Sequence, residues 1–166
     1  HDVFGHVPLL TQPVFADYMQ AYGRGGLRSL EFDAIKHMAR LYWYTVEFGL
    51  INTPEGRRIY GAGIVSSRAE SIFSLEARSP NRIPFDLERI MRTDYRYDDF
   101  QQSYFVIDSY DELMEATYAD FAPIYDRLPD LTEYKPSDIA EGDKVYTRGS
   151  QEYAMAGGLT GKAEAV

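Results

Sequence analysis

ARLYWYTVEFGL, residues 39–50, is the stretch on which the reading of this chain turns. Its apolar residues continue a pattern that begins at Phe32 and runs through Ile35, Met38, Leu41, Tyr42, Thr45 and Phe48, the three-to-four-residue period of an amphipathic helix. A helix over 31–48 is expected, with Gly49 placed to end it. Glu47 breaks the pattern. It stands among Trp43, Tyr44, Val46, Phe48 and Leu50, where a bare carboxylate is costly unless a cation or hydrogen-bond donors meet it. An arginine or lysine would serve, and so would a metal ion.

HDVFGHVPLL, residues 1–10, supplies partners for such an ion. His1 and His6 are five apart, not four as in the HExxH of zinc proteases. On a regular α-helix five residues turn through roughly 500°, which leaves the two side chains about 140° apart. If both bind one ion, the helix must be distorted between them, by a π-bulge or a helix end near Gly5. Two neutral imidazoles and one carboxylate form the facial set of non-haem iron(II) oxygenases, and zinc accepts the same donors. Cysteine is absent, which excludes disulfides and thiolate ligation.

Outward from these stretches, Pro13 opens a helix that Thr11 can cap, and Gly23, Gly25 and Gly26 are placed to stop it. Asn52 to Gly56 reads as a turn, and 58–67, β-branched and interrupted by glycine, as a bent strand or loop. Short helices are expected over 68–77, capped by Ser67, and over 85–91. A strand over 104–107 and a helix over 111–127 follow. From Lys135 the chain turns polar, with few large apolar anchors to offset the entropy of ordering it. The division expected is therefore a domain over 1–134 and a loose tail over 135–166.

The 166 residues suit one domain, and 45% hydrophobic residues can build a core. A net charge of −9 argues against a nucleic-acid binder. No apolar run approaches the roughly 20 residues that span a bilayer. A cytoplasmic protein with no membrane or nucleic-acid partner is the plain reading. The chain opens with His1 inside a dense motif, so it reads as a piece of a longer protein.

Together with RRIYGAGIVSS (57–67), the two quoted stretches resemble, in order and spacing, signature segments of the pterin-dependent aromatic amino acid hydroxylases. The bacterial phenylalanine-hydroxylating members are the most similar, and the resemblance runs from residue 1 to about 128. It implies a mainly α fold, helices with a few short strands, forming the C-terminal part of the family's catalytic domain. It implies that His1, His6 and Glu47 ligate iron(II). Trp43 would wall the substrate's aromatic ring, with Gly63 and Ser66 beside the substrate. Ser66 would also support His1, with Glu70 supporting Ser66 in turn. Asp2, Ala39 and Tyr42 match positions near the pterin. Each has a plainer alternative: Trp43 and Tyr42 as core aromatics, Gly63 as a bulge residue, Ser66 satisfying a backbone group. His37 matches no functional position and reads as a surface or boundary residue.

The activity implied is a monooxygenase reaction in phenylalanine degradation, in which iron(II), tetrahydrobiopterin and O2 convert L-phenylalanine to L-tyrosine. Tyrosine hydroxylases carry an aspartate at the position aligned with Tyr97, and tryptophan hydroxylases tend to have phenylalanine at that of Trp43, so phenylalanine is favoured over either substrate. The family's pterin loops and its carboxylate-gripping arginine lie upstream of the first iron histidine, which places activity in the intact parent. A monomer is expected, because no coiled-coil tail is present. The competing readings are a tryptophan hydroxylase and a non-catalytic helical protein that binds metal or pterin.

Overall fold

The structure is a computed structural model that describes residues 1–118 and 120–159. His1 leads into a π-helical turn, Asp2–His6, continued by α1 (Val7–Leu10). Pro8 sits in the first turn of α1, where a missing N–H goes unnoticed. α2 (Pro13–Ser29) starts at the expected proline, but Gln12 occupies the cap and Thr11 spends its hydroxyl on the Pro8 carbonyl. Nor do the glycines stop it. A Cβ on Gly25 would lie 3.1 Å from the Phe121 ring, and the Gly25 carbonyl accepts from the Tyr125 hydroxyl at 3.1 Å. Close packing here outweighs the roughly 1 kcal/mol that a helical glycine costs.

The single helix expected over 31–48 is divided. A 3-10 turn, Leu30–Phe32, ends at Asp33, which takes the left-handed conformation (φ 52°) that aspartate tolerates. α3 (Ile35–Tyr42) follows and passes directly into a second π-helical turn, Trp43–Glu47.

The chain then forms a hairpin of β1 (Leu50–Thr53) and β2 (Gly56–Ile59), followed by α4 (Ala62–Val65) and α5 (Arg68–Glu76). β3 (Asn81–Pro84), α6 (Leu87–Met91) and β4 (Ser103–Ile107) come next, then α7 (Tyr110–Tyr118), α8 (Ala122–Tyr125) and, late in the chain, α9 (Glu152–Met155). Ser67 and Asp86 cap α5 and α6 through the main-chain N–H groups of Glu70 and Arg89. The four strands form one mixed sheet in the order β2-β1-β4-β3, antiparallel within the hairpin and parallel elsewhere. β4 is buried along its whole length, as a strand paired on both edges and covered on both faces should be. Phe105 of this strand meets Met38, Leu41, Tyr44, Ile90 and Met91 in the main core. The hairpin and β3 fall below the length at which an alternating pattern can be read, and the helix expected over 111–127 breaks between α7 and α8.

Residues 135–159 correct the expectation of a loose tail. Thr147 exchanges main-chain hydrogen bonds with Arg82 (2.9 and 3.1 Å). Buried Asn81 donates to the Ser137 carbonyl and accepts from the Gly149 N–H, while buried Arg89 pairs with Asp143 at 3.1 Å and donates to the Asp138 carbonyl. Ile139 and Val145 also pack against the main core, and Tyr153 against Phe73 and Phe100, so polar contacts and a few apolar anchors together hold the segment. Residues 160–166 lie outside the described residues, and no described helix is long and apolar enough to cross a membrane.

Just before this segment, Glu133 bridges to α3 through Arg40 (2.8 Å) and Lys36 (2.7 Å). Arg40 first, then Lys36, holds its carboxyl down at about 2. A depressed folded-state pKa adds stability above the unfolded carboxylate pKa of about 4.3 that is lost as pH falls toward 2. Glu133→Gln is therefore expected to melt below the parent at pH 7, with the gap closing between about pH 5 and pH 2 and shrinking in salt. Thermal melts across that range check it.

Candidate metal centre

The two π-helical turns carry the candidate ligands. His1 immediately precedes the first turn and His6 ends it; Glu47 ends the second. The wider i→i+5 winding brings a residue five positions on nearly over its start, which a regular helix cannot do. This is the distortion that the five-residue spacing requires. His1 Nε2 lies 2.9 Å from His6 Nε2 and 3.5 Å from Glu47 Oε2, and His6 Nε2 lies 3.2 Å from Glu47 Oε1. Metal bonds of about 2.1 Å at right angles need donors roughly 3 Å apart, so the spacing fits one cation held on one face.

Hydrogen bonding assigns the tautomer of His1. Ser66, at the junction of α4 and α5, donates its hydroxyl proton to the Ala62 carbonyl at 2.7 Å. Its oxygen is then left to accept from His1 Nδ1–H at 3.0 Å, which puts the lone pair of His1 on Nε2, facing His6 and Glu47. Glycine makes the approach of the elements possible. A Cβ on Gly5 would lie 2.8 Å from the Ala62 Cβ; one on Gly63 would lie 2.9 Å from Phe48 Cζ and 3.1 Å from Glu47 Oε2.

Tyr42 stands beside the centre. Burial pushes its hydroxyl pKa up, and the charges of Glu47 and Asp2 push the same way. Ala39 is exposed three residues before Tyr42 on α3, one turn back along the same face. Half-buried Trp43 stacks on Tyr95 (centroids 4.4 Å apart, 18° between planes) and packs on Phe48 at 4.6 Å. Its indole N–H donates to Gln101 Oε1 at 2.9 Å.

Two readings of the sequence need correction. Among the described residues, the hydrogen bonds of the Glu70 carboxylate come from the Tyr104 hydroxyl (2.8 Å) and the Gln101 N–H (3.3 Å), and those of Ser66 join His1 and Ala62. Four residues apart on one helix the two would be neighbours, but Ser66 follows the end of α4 and Glu70 belongs to α5. Burial, the largest influence, raises the Glu70 pKa. His37, in turn, is buried, not at the surface, with Nδ1 2.7 Å from the Met91 carbonyl and its pKa lowered by burial. Gln101, Tyr95 and Phe48 went unread as site residues. A buried indole N–H does call for an acceptor, but nothing in the sequence says which of many it finds.

Donor set, spacing and tautomer make His1, His6 and Glu47 a candidate centre for a divalent cation. A sequence model described as biopterin-dependent aromatic amino acid hydroxylase matches residues 1–138, and the chain belongs to that family. It is 66% identical over 164 residues to the phenylalanine-4-hydroxylase of Caulobacter vibrioides, covering 98% of this chain and 56% of that protein. The Ralstonia nicotianae phenylalanine-4-hydroxylase is 60% identical, over 92% of this chain and 49% of its own length. Among solved structures, phenylalanine hydroxylase from Chromobacterium violaceum bound to cobalt superposes with a TM-score of 0.85 at 60% identity, covering 87% of this chain and 52% of that one. The chain thus spans about half the length of the relatives it matches.

Ser66→Ala removes the acceptor that orients His1, so divalent-metal affinity is expected to fall about 10- to 100-fold with little loss of fold; titration with cobalt(II) measures it. Gly5→Ala forces the first π-helical turn off α4 and is expected to cost about 1–3 kcal/mol, read as a lower denaturant midpoint, and to weaken metal binding as well.

Proposed function

We propose that this chain is the iron-bearing C-terminal part of the catalytic domain of a phenylalanine 4-hydroxylase, with the centre carried on residues 1–134. The intact parent would use iron(II), tetrahydrobiopterin and O2 to turn L-phenylalanine into L-tyrosine. The observation that carries the reading is the facial arrangement of His1, His6 and Glu47 in a chain of a biopterin-dependent family. The relatives named phenylalanine-4-hydroxylase support phenylalanine as substrate, and so does Tyr97, which is not acidic.

Iron(II) together with the reduced pterin supplies the activation of O2, chemistry that no side chain can perform. The residues of this chain hold and orient. His1, His6 and Glu47 would hold the ion; two neutral imidazoles and one carboxylate would keep its net charge positive, and protein donors on one side only would leave room for further ligands. Ser66 keeps the Nε2 lone pair of His1 available. Asp2, Ala39 and Tyr42 would line the pterin side, and Trp43, Gly63 and Ser66 the substrate side, where a ring held in register is worth several kcal/mol of barrier. The reading has a monomer working in the cytoplasm on small molecules, with the charge of −9 set against phosphate-rich partners.

Supplied with iron(II), tetrahydrobiopterin and O2, the intact parent is expected to form tyrosine from phenylalanine, detected by chromatography. Metal bound without any hydroxylated amino acid would refute the enzyme reading. Glu47→Ala and His6→Ala are expected to abolish stoichiometric iron binding while most of the helical signal remains. Full iron retention in either variant would show the ligands to be misassigned.

A further inference from the structure

We propose that Gln101 is a positioning residue that governs discrimination between aromatic rings by fixing the plane of Trp43; the inference rests on the functional reading above. The indole adjoins the metal centre through Phe48. The tip of the Phe48 ring and Glu47 Oε2 both lie within about 3 Å of the point that a Cβ on Gly63 would occupy, and Trp43 packs on Phe48.

The only polar atom of the Trp43 side chain is Nε1, and its hydrogen goes to Gln101 Oε1 at 2.9 Å. Gln101 is 1% exposed and has no slack. Its Nε2 donates to the carbonyls of Arg96 (2.6 Å) and Asp99 (3.2 Å), and its main-chain N–H donates to Glu70 Oε1. Two carbonyl partners at one end and an N–H at the other leave a single orientation for the amide. Glu70 in turn accepts from Tyr104, a residue of the buried strand β4. The indole is therefore tied through Gln101 to α5 and to the centre of the sheet, while Tyr95 stacks against it.

A ring wall held from two directions can favour one size of aromatic side chain. An indole freed from its acceptor can tilt, and the pocket then loses its preference. Small misplacements of this kind cost large factors in rate. Because Gln101 acts through Trp43 and not through the ligands, ring selectivity should change while metal affinity does not.

The test uses the intact parent with Gln101→Met, which keeps the volume and removes the amide, and Gln101→Asn, which withdraws the acceptor by one methylene should the first variant fold poorly. The kcat/KM ratio for phenylalanine over tryptophan is expected to fall by about tenfold or more, a size typical of reshaping an apolar pocket, with cobalt(II) affinity within about twofold of the parent. In a Trp43→Phe background the same Gln101 substitution is expected to leave the ratio unchanged, since no indole N–H remains to be held. An active parent whose folded Gln101 variants keep its ratio overturns this inference alone, as does an equal effect with and without Trp43. A parent that does not hydroxylate phenylalanine overturns the functional reading and this inference with it.

Discussion

Three candidate metal-ligand atoms converge here because the helices that carry them are wound too wide. A carboxylate 14% exposed faces two imidazoles across little more than 3 Å, and each supporting segment departs from the α-helix at that point. Single π-helical turns are poor in isolation and persist where tertiary contacts hold them. The first is pressed onto α4 at the contact of Gly5 with Ala62. The second is held by buried Thr45, whose hydroxyl donates to the Leu41 carbonyl and meets the Tyr18 hydroxyl at 2.8 Å.

The short helices after the hairpin organise both sides of the site. The residues between α4 and α5 present Ser66 to His1, while α5 itself carries Glu70 away toward Gln101 and Tyr104. One turn of chain thus holds the candidate ligand His1 on one side and, through Gln101, Trp43 on the other. The break between the two helices separates the roles.

Legibility in the sequence varied with the range of the interaction involved. Local signals held: Ser67 caps α5 as its place before the helix suggests, and the apolar run 104–107 falls within β4. Glycine misled, because Gly25 serves packing against Phe121 and not helix termination. Polarity misled too, since residues 135–159 are ordered by hydrogen bonds to Asn81, Arg82 and Arg89, three buried polar residues whose partners lie some 50 to 70 positions away.

The sequence by itself determined which atoms could bind a metal and that a helix whose His1 and His6 share one ion must be distorted between them, because residue type and the angular period of a helix are local properties. Family membership was legible for the same reason, from contiguous motifs in order. Only the tertiary structure decided that Glu47 meets both imidazoles, that His1 exposes Nε2, and that Gln101 and not Ser66 receives the support of Glu70. Each of those depends on how separate segments pack against one another, and a hydrogen-bond partner 31 or 65 residues distant leaves no periodic trace in the chain.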